Sequence, residues 1–98
     1  MMTETKRTIK RTTSFKRQYK KAKKQGKNID LLLKLINMLA NDEPLPEKYR
    51  DHALAGDWKG YRECHVTPDW LLVYSKEEES GELLLVLTRL ANHNVLRF

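Results

Sequence analysis

Cysteine is almost absent: Cys64 stands alone among 98 residues. A single cysteine cannot close an internal disulfide, so nothing points to an oxidising compartment, and it lacks the thiolate partners of a zinc site. It reads as a small strand residue. Long apolar runs are missing too, and none approaches the roughly 20 residues that span a bilayer. The first residues are polar and basic, without the apolar centre of a signal peptide. These absences predict a cytosolic chain with no membrane partner. Acid is scarce at the start. Residues 1–27 hold eleven Lys and Arg against one Glu, net +10, whereas residues 28–98 hold eight against twelve, net −4, leaving +6 for the chain. A basic block favours polyanions by releasing their counterions. The plain alternative is a solvated helix face.

What is present suits one domain over residues 1–98 with one small core. Lys6–Thr12, centred on Ile9, reads as a first strand. Thr13 or Ser14 can cap the helix that follows, where Phe15, Tyr19 and Ala22 recur at helical spacing and Lys16, Arg17, Lys20, Lys21, Lys23 and Lys24 take the other face. Gly26 is a natural stop. Asn28 or Asp30 opens a second helix to Ala40, with Leu32, Leu35, Ile36 and Leu39 as its stripe, widened by Leu31, Leu33 and Met38. Asn41–Asp57 reads as a loop, with Pro44 and Pro46 blocking regular structure. Strands follow at Tyr61–Val66, Trp70–Ser75 and Leu83–Leu87, separated by a Pro68–Asp69 turn and an acidic loop at Glu77–Gly81. The order predicts an α+β fold: an N-terminal strand, a two-helix hairpin and a three-stranded antiparallel meander, in one sheet with helices on one side.

Histidine occurs three times, at His52, His65 and His93. It is the side chain that exchanges protons near neutral pH. Three of them, with Asp69 and several arginines in a basic chain, suggest proton transfer on a phosphodiester. Each alone reads equally as a hydrogen-bonded structural residue. Zinc binding by the three histidines is disfavoured by their spacing. No metal or other cofactor is expected.

The residues also carry a resemblance. The runs Leu45-Pro46, Asp51-His52, Trp58-Lys59-Gly60-Tyr61-Arg62, His65-Val66 and Pro68-Asp69-Trp70, with Arg89 and His93, resemble the RelE/ParE toxin superfamily and most closely its YafQ branch. That resemblance covers nearly the whole chain. It implies a toxin of a bacterial type II toxin–antitoxin system, an endoribonuclease that cuts messenger RNA at the ribosome and is silenced by a cognate antitoxin. By motif position it implies catalytic roles for His52, His65, Asp69 and His93, with Trp70 near the substrate.

The chemistry fits. RNA is cut when its own 2′-hydroxyl attacks the adjacent phosphate, which needs a base, an acid for the leaving 5′-oxygen and cations for the charge on phosphorus. Asp69 or His65 is the candidate base and His93 the acid. Arg62 or Arg89 can bind the phosphate, and Trp70 can stack on a splayed base. Lys20, Lys21 and Lys24 are expected to grip ribosomal RNA. Ala91 and Asn92 replace the small and hydroxyl residues usual before the last histidine. The family's C-terminal aromatic falls at Arg97 here, with Phe98 one residue later, so either can fill that place on the RNA. Two other functions fit parts of the pattern: a ParE-like toxin that inhibits a topoisomerase without nuclease chemistry, since a shared fold does not imply a shared reaction, and a basic RNA-binding module with no activity.

Overall fold

The computed structural model describes residues 5–92. Strand β1 (Thr8–Arg11) leads into helix α1 (Thr13–Lys24), helix α2 (Ile29–Ala40), a two-residue strand β2 (His52–Ala53) and strands β3 (Arg62–Thr67), β4 (Trp70–Glu79) and β5 (Glu82–Asn92). The sheet order is β1-β5-β4-β3-β2. β1 runs parallel to β5, and the remaining pairs are antiparallel. The helical hairpin carries the chain from β1 at one edge of the sheet to β2 at the other, and β5 returns beside β1 as its parallel partner. Among the described residues no helix is long and apolar enough to cross a membrane.

One hydroxyl makes the first junction. Thr12 Oγ1 accepts from the Phe15 N–H at 3.0 Å and donates to the Thr88 carbonyl at 2.7 Å. Thr13 and Ser14 were the expected caps; the cap falls on Thr12 because its backbone is still extended, at ψ 162, as a capping residue requires. Helix α1 ends at Gly26, φ 76, where the N–H groups of Gly26 and Lys27 return to the carbonyls of Lys23 and Ala22. A left-handed residue there is easiest for glycine. Asn28 then caps α2, its side chain accepting from the Leu31 N–H at 3.1 Å.

The helices cover one face of the sheet. Phe15, Ala22, Leu32, Leu35 and Leu39 pack with Cys64, Val66, Trp70, Leu72, Tyr74, Leu85, Leu87 and Leu90. Burying a leucine or phenylalanine side chain of this kind stabilises by about 1.5–3 kcal/mol. Leu33, read as part of the apolar stripe of α2, instead lies 47% exposed. Burial pushes the Cys64 thiol up to about 12, with Asp51 and Glu63 adding to the shift, so it is an inert core residue.

The opposite face carries a second, smaller cluster of Leu71, Val73 and Ala91 under Leu54, Trp58 and Tyr61. A bulge makes this face at β5: the register slips between Val73 and Tyr74, whose partners are Arg89 and Leu87. The extra residue reverses the alternation, so Leu85 and Leu87 but also Leu90 reach the helices, while Ala91 reaches the second cluster.

Two sequence expectations change. The acidic stretch is not a loop: β4 continues to Glu79 and the chain reverses in two residues, Ser80 at φ 52 and Gly81 at φ 83. Two positive φ values are those of a type I′ hairpin turn. The long loop is not wholly irregular either. His52 and Ala53 pair with Glu63 and Arg62 and add a fifth strand to the sheet. Two residues are too few to leave a period in the sequence.

Candidate active site

The site lies at the β2–β3 edge, on the sheet face away from the helices. His52 is in register with Glu63, and His65 follows two residues along β3, on the same side of the strand. His52 Nε2 lies 3.3 Å from Glu63 Oε1, and His65 Nε2 lies 3.7 Å from the same oxygen. The other nitrogen of His52 donates to the Arg50 carbonyl at 2.6 Å. The His52 side chain is 47% exposed, that of His65 12% and that of Glu63 7%. The Oε2 atom of Glu63 is buried without a hydrogen-bond partner among the described residues. A carboxylate in such a place is costly to bury and is kept in position by the two rings it faces.

Asp69 stands in the turn between β3 and β4. It lines an open cleft of about 460 Å³ with Lys48, Arg50, His65 and Pro68. His65, Asp69 and two cationic residues thus border one cavity. His52 is joined to it through Glu63.

A second network holds the loop that carries His52. The buried Tyr74 hydroxyl donates to Asp51 Oδ1, and Arg62 Nε donates to the same carboxylate oxygen at 3.3 Å and to the Tyr74 oxygen at 3.2 Å. Burial and the hydrogen bond to Asp51 push the Tyr74 hydroxyl well above its ordinary range. The hydrogen bond to Tyr74 and the charge of Asp51 push the Arg62 guanidinium up, so it stays charged. Arg62 is therefore a clamp for the loop and is not brought into the cleft with His65: it shares its side of β3 with Cys64 and Val66, which face the helices.

Trp70 is also turned away. It is 3% exposed and packs in the helix-side core, so no open ring face is offered to a base. Strand alternation decides this, because Trp70 shares its face with Leu72 and Tyr74. Arg89 is on the histidine side of the sheet, but its guanidinium lies over the Trp58 ring, 5.8 Å from the centroid. Lys20, Lys21 and Lys24 are exposed on α1. His93 and Phe98 lie outside the described residues, as does Arg97.

Sequence reading missed Glu63, Lys48 and Arg50. Glu63 carried a usable signal: it is two residues before His65 in a strand, hence on its face. Lys48 and Arg50 carried none, because no periodicity aims a loop residue at a cavity. Among the described residues no group of three or more His, Cys, Asp or Glu is arranged to hold a metal ion.

Residues 7–97 match the pattern of the family described as bacterial toxin of type II toxin-antitoxin system, YafQ. The chain belongs to the YafQ family. The mRNA interferase toxin YafQ of Escherichia coli K12 is 40% identical over an alignment of 93 positions that covers 90% of this chain and 97% of that protein. The crystal structure of YafQ from Escherichia coli BL21(DE3) has a TM-score of 0.82 at 36% identity, covering 94% of this chain and 99% of that one. YafQ in the Escherichia coli DinJ–YafQ toxin–antitoxin complex has a TM-score of 0.81 at 37% identity, covering 95% and 99%. The YafQ branch indicated by the motif runs is thus confirmed, and so is the α+β fold.

Proposed function

We propose that the chain is the mRNA interferase toxin of a type II toxin–antitoxin pair, an endoribonuclease that cuts translated messages on the ribosome, in the cytoplasm. One observation carries this reading: His65 and Asp69 border the same cation-lined cleft, with His52 coupled to it through Glu63.

In the reaction, the message's 2′-hydroxyl oxygen attacks the adjacent phosphorus. A base takes the hydroxyl proton, the bond from phosphorus to the 5′-oxygen breaks, and an acid protonates that oxygen. The products are a 2′,3′-cyclic phosphate and a free 5′-hydroxyl. His65 or Asp69 serves as the base and His93 as the acid, each of the kind that contributes about 10²–10⁴-fold. Lys20, Lys21 and Lys24 bind ribosomal RNA through long-range charge. The cognate antitoxin is the controlling partner; complementarity to a basic toxin favours an acidic segment in it.

The test is to induce the chain in bacteria and map new 5′ ends on translated messages. Cleavage is expected for the parent and is expected to vanish in His65→Ala and Asp69→Ala while folding is retained. Growth arrest that persists in both variants without new 5′ ends would instead direct attention to a topoisomerase, assayed by supercoiling.

A further inference from the structure

We propose that Arg50 binds the scissile phosphate of the RNA strand, a role that rests on reading the His65–Asp69 cleft as the cleavage site. Arg50 has φ 47 and ψ 45, in the left-handed region that residues with a Cβ rarely adopt. Asp42 and Ser80 share that region among the described non-glycine residues. Ser80 makes the hairpin turn, and Asp42 follows the end of α2 and is of a type that tolerates this backbone. Arg50 closes the single 3-10 turn Glu47–Tyr49, a left-handed place that glycine or asparagine usually takes and that costs an arginine more. Such conformations persist where the surroundings impose them, and they gather at functional sites.

The surroundings here are explicit. The Arg50 N–H donates to the Glu47 carbonyl at 2.9 Å, and its own carbonyl accepts from His52 Nδ1 at 2.6 Å. The next residue, Asp51, is held by Tyr74 and Arg62. The chain so fixed presents Arg50 to the cleft shared by His65 and Asp69. Among the described residues its guanidinium makes no hydrogen bond or ion pair. Arg62, by contrast, is held by Asp51 and Tyr74, and Arg89 lies over the Trp58 ring with its Nε buried and, among the described residues, without a hydrogen-bond partner, outside the residues that line the cleft. A guanidinium fork matches two phosphate oxygens, whose charge grows as the 2′-oxygen attacks. One backbone conformation therefore serves two groups: it aims the phosphate-binding cation and offers His52 its carbonyl partner.

The test is single-turnover cleavage of a message on programmed ribosomes at rising toxin concentration. Arg50→Gly removes the guanidinium from a backbone that glycine adopts without strain, so its thermal midpoint should equal or exceed the parent's. Arg50→Asn is a second variant suited to this region. Both should lower the saturating rate by about 10²–10³-fold, with the half-saturating concentration little changed. Arg50→Lys, which keeps the charge but not the fork, should recover part of the rate. An unchanged saturating rate, a loss confined to half-saturation, or a loss matched by a lower thermal midpoint in both variants would overturn the assignment. His65→Ala and Asp69→Ala run alongside. If they lose cleavage while Arg50→Gly keeps it, the Arg50 role alone fails; if all three cleave like the parent, the reading of the cleft fails.

Discussion

His52 and His65 share one carboxylate oxygen. Their Nε2 atoms lie 3.3 and 3.7 Å from Glu63 Oε1, and their ring centroids are 6.2 Å apart. The two histidines stand on different strands, 13 residues apart in sequence. Only the β2–β3 register brings them together, and Glu63 is the group through which each can sense the other.

Glu63→Gln is the direct probe of that coupling. The amide cannot serve two imidazoles as a carboxylate does, so cleavage should fall toward the about 10²–10⁴-fold lost with a positioned acid–base group. Stability should not fall, because the substitution removes a buried charge with an unpaired oxygen. Cleavage on ribosomes and thermal unfolding, measured on the same preparation, check both halves. Parental cleavage in this variant would remove Glu63 from the mechanism.

Tyr74→Phe should weaken the loop clamp. It deletes the hydroxyl that donates to Asp51 and accepts from Arg62. Leaving a partly buried carboxylate one donor short is expected to lower stability by about 1–3 kcal/mol. Urea unfolding monitored by tryptophan fluorescence reads the change directly, and an unaltered midpoint would mean that Asp51 finds another donor.

Asp42 sets an acid-dependent part of the stability. Its hydrogen bonds to Lys76 and Arg7 hold the carboxyl down from its ordinary 3.8 to about 2. The folded value is below the unfolded one, so the contribution is complete above pH 3.8 and is lost as pH falls toward 2. Asp42→Asn should therefore be less stable than the parent near neutrality and converge with it near pH 2. The side chain is one third exposed, so screening by solvent keeps the difference small. Denaturation curves across this window measure it; a constant difference at all pH values would show that Asp42 acts by something other than its charge.

The lysines of α1 are expected to act through ionic strength. Neutralising Lys20, Lys21 and Lys24 together should weaken ribosome binding and flatten its salt dependence, by about 0.7–0.9 in log–log slope for each RNA phosphate left without its lysine. The rate of the chemical step at saturation should be unaffected. A salt slope equal to the parent's would place these charges off the interface.

Much of the architecture was legible in the chain. The stripe Leu32, Leu35, Ile36 and Leu39, the stop at Gly26 and the Pro68–Asp69 turn are local signals of period and backbone preference, and each stands where it was expected. Family motif runs likewise pointed to His52, His65 and Asp69. What misled was direction. Arg62 and Trp70 belong to the same motif runs as His65 and Asp69, yet strand alternation turns both toward the helix side.

The sequence by itself determined the elements, their order, the family and the residue types available for proton transfer, because these depend on neighbours a few positions away. Tertiary structure alone decided which of those residues meet. The β2–β3 pairing sets His52 beside Glu63, the bulge near Thr88 chooses the face of Arg89, and the hold of Tyr74 and Arg62 on Asp51 fixes the loop that brings Arg50 to the cleft. Each depends on contacts between segments far apart in the chain, and no local period or propensity encodes such a contact.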